Sequence, residues 1–100
     1  MLECLWIDKN KLKKLPNTIG NLTNLTKLVL HENDLKELPK SIRNLTKLKF
    51  LSLFRNKLTV IPKDIGQLKN LKKIILSENE FSPSEKQKIK ALLPNTEIKF

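Results

Sequence analysis

Nine positions of this 100-residue chain recur at one constant interval, and a spacing held that strictly leaves few folds open. Leu25, Leu28, Leu30, Asn33, Leu35, Leu38, Pro39, Ile42 and Leu45 form the reference unit. One step forward lie Leu48, Leu51, Leu53, Asn56, Leu58, Ile61, Pro62, Ile65 and Leu68. One step back lie Leu2, Leu5, Ile7, Asn10, Leu12, Leu15, Pro16, Ile19 and Leu22. A fourth unit opens with Leu71, Ile74, Leu76 and Asn79 and places Phe81 in the next apolar slot. A unit this short cannot bury its own apolar side, so each must be covered by its neighbours in a stack. We therefore read one domain, with units at about 2–24, 25–47, 48–70 and 71–81 and a closing segment at 82–100.

Each unit has two halves. In Leu25-Thr26-Lys27-Leu28-Val29-Leu30 the apolar residues alternate near the end, as in a strand with one buried face. Asn10, Asn33, Asn56 and Asn79 fall at the bend after the strand, where an amide both donates and accepts and can satisfy backbone groups left unpaired. Pro16, Pro39 and Pro62 then preclude a long regular helix on the return. The pattern L-x-x-L-x-L-x-x-N-x-L-x-x-L-P-x-x-I-x-x-L resembles the leucine-rich-repeat family over almost the whole chain. Its L-P-x-x-I half is similar to the 23-residue class of many bacterial and some intracellular eukaryotic proteins. The resemblance implies an α/β fold: a right-handed solenoid with a parallel sheet on its concave side and short turns or single helical turns on its convex side.

The repeat lapses after Phe81. Ser82 suits a helix N-cap, Pro83 the first helical position, and Glu85 the third corner of a capping box. Ile89, Leu92 and Leu93 give a helical apolar stripe, Pro94 and Asn95 end it, and Glu97 to Phe100 can add an edge strand. Residues 82–100 thus read as a C-terminal helical cap. The first unit has no counterpart: Leu2, Leu5, Ile7, Leu12, Leu15, Ile19 and Leu22 form a layer with no predecessor beside an open strand edge, and two-fold self-association there is expected.

The net charge of +10 favours acidic partners. Its alternative functional reading is a polyanion binder, with glycosaminoglycan ahead of nucleic acid. The lysines fall mostly near the turns and the convex side, with no aromatic platform interleaved for nucleic acid. Cys4 is the one cysteine, so no internal disulfide forms and no redox compartment follows. No stretch approaches a membrane span and no signal peptide is visible. The expected location is cytoplasmic if Met1 is the natural start, and secreted or surface-bound if a longer precursor was truncated. The sequons at Asn21, Asn24 and Asn44 read as by-products of the repeat.

Chemistry-bearing motifs are scarce. G-x-S-x-G, Walker A and H-E-x-x-H sequences are absent, and no cofactor is implied. Cys4 and His31 lie in different columns with no third group, which disfavours a nucleophile and base. Asp8, His31 and Glu32 are weak candidates for a metal, because Asp8 and His31 share a column on adjacent strands.

The off-consensus strand positions are more informative. They form columns spaced by the same repeat interval: Cys4, Lys27, Phe50, Lys73; then Trp6, Val29, Ser52, Ile75; then Asp8, His31, Phe54, Ser77; and past the strand Lys9, Glu32, Arg55, Glu78. Trp6, Val29, Phe50, Phe54 and Ile75 should point away from the core, and an exposed apolar cluster usually marks a contact surface. The expected function is a protein-interaction scaffold, not an enzyme. Its partner site comprises Trp6, Val29, His31, Phe50, Ser52, Phe54, Arg55 and Ile75. The resemblance further suggests host interaction or surface adhesion in a bacterium as the context.

Overall fold

The computed structural model describes residues 3–100, so the expected core role of Leu2 lies outside the described residues. Five three-residue strands form one parallel sheet in chain order: β1 (Cys4–Trp6), β2 (Lys27–Val29), β3 (Phe50–Ser52), β4 (Lys73–Ile75) and β5 (Glu97–Lys99). The register repeats the sequence period through the first four strands, where Leu5, Leu28, Leu51 and Ile74 face one another, and the last strand sets Ile98 beside Ile74 after one residue more. Between the strands, Pro16, Pro39 and Pro62 stand at φ −68°, −71° and −64°, each immediately before a five-residue 3-10 helix: Asn17–Asn21, Lys40–Asn44 and Lys63–Gln67. Proline fixes φ at the value these starts need, and the short return keeps every unit to the same repeat length. Gly20 lets the first of these helices lie against the second, because a methyl there would stand 2.8 Å from the Ser41 carbonyl oxygen.

The core is the consensus itself. Leu28, Leu30, Leu35, Leu51, Leu53, Leu58 and Ile74 have no exposed surface, and they form one continuous cluster with the other repeat leucines and isoleucines. Among the described apolar residues of the first layer only Leu15 and Ile19 are buried, while Leu5, Ile7, Leu12 and Leu22 are half-buried.

The asparagines hold the layers in register. Asn56 accepts the Leu35 N–H at 3.2 Å and donates to the carbonyls of Leu30 at 2.8 Å and Leu53 at 3.1 Å, so one amide ties two units. Asn79 accepts from Leu58 N–H and donates to Leu53 and Leu76 in the same way. Asn33 accepts from Asn10 and Leu12 and donates to Ile7 and His31. Asn10 is exposed, and its side chain makes none of these bonds among the described residues. Just before each asparagine, Lys9, Glu32, Arg55 and Glu78 take left-handed backbone with φ from 54° to 62°. Non-glycine residues resist that region; at Glu32, Arg55 and Glu78 the side-chain bonds of the following asparagine brace the turn, whereas Lys9 adopts it without such bonds from Asn10 among the described residues.

The last unit exchanges its 3-10 helix for α1 (Pro83–Leu92), which packs on the preceding 3-10 helix. Ser82 caps α1 by accepting the Glu85 N–H at 3.1 Å. The expected capping box is not closed as drawn from the sequence. The Glu85 carboxylate is buried and accepts the Ile61 N–H at 3.1 Å, which binds the cap to the third unit. The apolar Ile89 and Leu93 draw α1 onto the stack, and that contact turns Glu85 inward. Glu85→Ala should cost about 1–3 kcal/mol by leaving that buried N–H unpaired. Urea unfolding checks this, and an unchanged midpoint would show the bond to be incidental. β5 then extends the sheet beside β4 as an edge strand, with Leu76 N–H donating to the Lys99 carbonyl.

Candidate functional site

The period-two alternation sends Leu5, Leu28, Leu51 and Ile74 inward and their neighbours to the concave face. Those neighbours differ greatly in cover. Trp6 is 58% exposed, Phe50 and Phe54 are half-buried, and the inward leucines Leu28, Leu51 and Leu53 are fully buried. Val29 departs from the expected open cluster, and Ser52 of the expected partner site is covered as well: they are 1% and 0% exposed, yet stand outside the leucine core. At Ser52 the neighbouring column reaches across, since the His31 ring is hydrogen-bonded to its hydroxyl.

The larger side chains of this face form a connected surface. The His31 ring stands between Trp6 and Phe54, edge-on to both, with centroids 6.2 Å and 5.6 Å away. His31 Nε2 is hydrogen-bonded to Ser52 Oγ, which fixes the ring over the third strand. The Lys27 ammonium lies between two rings, 5.8 Å from Trp6 and 5.3 Å from Phe50, and the Arg55 guanidinium stands 5.2 Å from the Phe54 centroid. Such cation–ring contacts hold long side chains flat and keep their charge at the rim. Ile75 is half-buried at the C-terminal end of the same face. Lys27 was not singled out from the sequence. Its signal is its column, one repeat step before Phe50, next to the Trp6 column.

The weaker candidates are dispersed or otherwise engaged. Cys4 is exposed and pairs in register with Lys27, while the His31 ring is held by Ser52. Among the described residues, no group of three or more His, Cys, Asp and Glu side chains stands close enough to hold a metal ion, Asp8, His31 and Glu32 included. No helix of the described residues is long and apolar enough to cross a membrane. A separate apolar groove opens at the N-terminal end, lined by Leu5, Ile7, Leu12, Leu15, Ile19 and Leu22.

The family model of the leucine-rich repeat region matches residues 1–97. The chain belongs to the leucine-rich-repeat family. Such repeats are typically non-enzymatic binding scaffolds. No curated protein matches this leucine-rich-repeat chain. Among solved structures, a leucine-rich-repeat protein of Leptospira interrogans is 47% identical over 99% of the chain, with a TM-score of 0.97. The plant peptide hormone receptor RGFR1, in complex with RGF2, is 42% identical over 80% of the chain, with a TM-score of 0.71. The chain spans only 25% of the first of these proteins and 13% of the second.

Proposed function

We propose that this leucine-rich-repeat chain is a non-catalytic scaffold that binds a protein partner on its concave face. The site comprises Trp6, Val29, His31, Phe50, Ser52, Phe54, Arg55 and Ile75. The observation that carries the reading is the ring row Trp6–His31–Phe54 with Lys27 and Arg55 beside it. Exposed tryptophan with arginine at a charged rim is the composition of binding hot spots. Val29 and Ser52 serve as the floor beneath these side chains rather than as contacts. The plant receptor's complex with a hormone peptide supports an extended peptide or loop as the occupant. The wider setting we propose is bacterial host interaction or adhesion; the Leptospira neighbour supports only that such repeats occur in a bacterium. The test is selection of peptides that bind the chain, followed by affinity measurement on the Trp6→Ala/Phe50→Ala variant. Peptides that bind the variant as well as the parent would overturn the reading. Binding that instead tracks the convex Lys40 and Lys63 would favour a polyanion.

We further propose self-association through the β1 edge, which the apolar groove at the N-terminal end supports. Lys9, Lys11, Lys13 and Lys14 of the same unit are all exposed, and a two-fold contact would bring them near their own copies. Screening should therefore strengthen the dimer as salt rises from about 0.05 to 0.5 M. Sedimentation at several concentrations measures this. A monomer at every concentration and salt would contradict it.

A further inference from the structure

The charge of the concave face is divided between its two flanks. On the leading flank, in the segments that lead into the strands, stand Lys27, Lys47, Lys49, Lys69, Lys72 and Lys73 with Glu3 and Glu97; Lys47 and Lys69 belong to the turns, Lys49 and Lys72 directly precede a strand, and Lys27 and Lys73 open one. On the trailing flank, Lys9, Lys11, Arg55 and Lys57 face Asp8, Glu32, Asp34, Glu78 and Glu80. One flank is thus strongly basic and the other close to balanced.

The leading lysines sit on a regular backbone. Lys49 N–H donates to the Thr26 carbonyl at 2.8 Å and Lys72 N–H to the Lys49 carbonyl at 2.8 Å, so the backbone there is satisfied within the stack. Their side chains remain. Lys73 pairs with Glu97 at 3.7 Å, and Lys47 donates to Asn24 Oδ1 at 3.1 Å. Lys49, Lys69 and Lys72 are exposed and make no ion pair among the described residues. Lys27 joins this ledge to the rings of Trp6 and Phe50. Like charges gathered on adjacent layers raise the local potential, and an anionic partner relieves it.

We infer that the concave site takes an extended acidic segment of a partner protein. Its carboxylates lie along Lys27, Lys49 and Lys72, and its apolar side chains rest on Trp6 and Phe50. This rests on the concave-face reading. A purely polyanionic ligand would leave the rings unused. Successive layers stand about 4.8 Å apart and an extended chain advances about 3.3 Å per residue, so the ledge accommodates about four to six partner residues.

The probe is a fluorescein-labelled peptide of about ten residues, rich in Asp and Glu with two leucines, followed by anisotropy at low salt, beside a heparin oligosaccharide of similar length. Lys49→Glu/Lys72→Glu should weaken the peptide about tenfold or more, whereas Lys40→Glu/Lys63→Glu, with the same change of net charge on the convex side, should stay within about twofold. Melting curves confirm that both variants fold. No binding to the parent chain, or equal losses in the two variants, would overturn the inference. Loss with Trp6→Ala/Phe50→Ala but not with the leading-flank pair would leave the concave reading standing and remove the acidic segment. Loss with the leading-flank pair alone, shared by heparin, would remove both and leave a polyanion site.

Discussion

Asn56→Ala is expected to lower stability by about 2–4 kcal/mol, the largest loss from any single polar side chain of the scaffold. Alanine removes the acceptor for the Leu35 N–H and the donors to the Leu30 and Leu53 carbonyls, all within the buried stack. Water cannot readily replace them, because Asn56 is only 6% exposed. At about 4–8 °C per kcal/mol for a domain of this size, the melting temperature should fall by roughly 8–32 °C. The loss should shrink toward the N-terminal end. Asn33 is also buried, at 4%, but its bonds reach the thinly covered first layer, and the exposed Asn10 should tolerate alanine within about 0.5 kcal/mol. Equal losses at Asn10 and Asn56 would mean that burial of the amide ladder does not set its worth.

The largest functional effect is expected from Trp6→Ala/Phe50→Ala, which should weaken a selected peptide about a hundredfold or more. Trp6 is 58% exposed and Phe50 half-buried, and neither belongs to the leucine core, so melting should change little. Both rings also hold Lys27, so their loss frees that ammonium as well as removing apolar area. A second, charge-neutral comparison is Val60→Ala, since Val60 is 50% exposed on the return side and should leave binding unchanged.

The fold was legible because periodicity and contact coincide in a stack. Leu28 meets Leu51 across β2 and β3 for the same reason that they stand one repeat apart in the chain. The asparagine bonds follow from the same arithmetic. The concave face was legible only as columns. Nothing in the spacing says that Val29 and Ser52 are covered, since cover depends on neighbouring side chains, as with the His31 ring at Ser52. The Glu85 bond to Ile61 was likewise hidden, because it joins residues in different columns, and the place of Lys27 between two rings was hidden because one of those rings, Trp6, belongs to the next column. The partly open first layer was visible from the sequence as an uncovered set of leucines and isoleucines, and the groove there has those residues as its walls.

The central claim is that consensus residues build the scaffold while the off-consensus strand residues meet the partner. Amide chemical-shift mapping of the whole chain with a selected peptide tests it most directly. Shifts should concentrate at Trp6, Lys27, Val29, His31, Phe50, Ser52, Phe54 and Ile75, with the signals of Lys40, Arg43, Lys63 and Gln67 unmoved. Shifts concentrated instead on that convex set, with the concave strands silent, would contradict it.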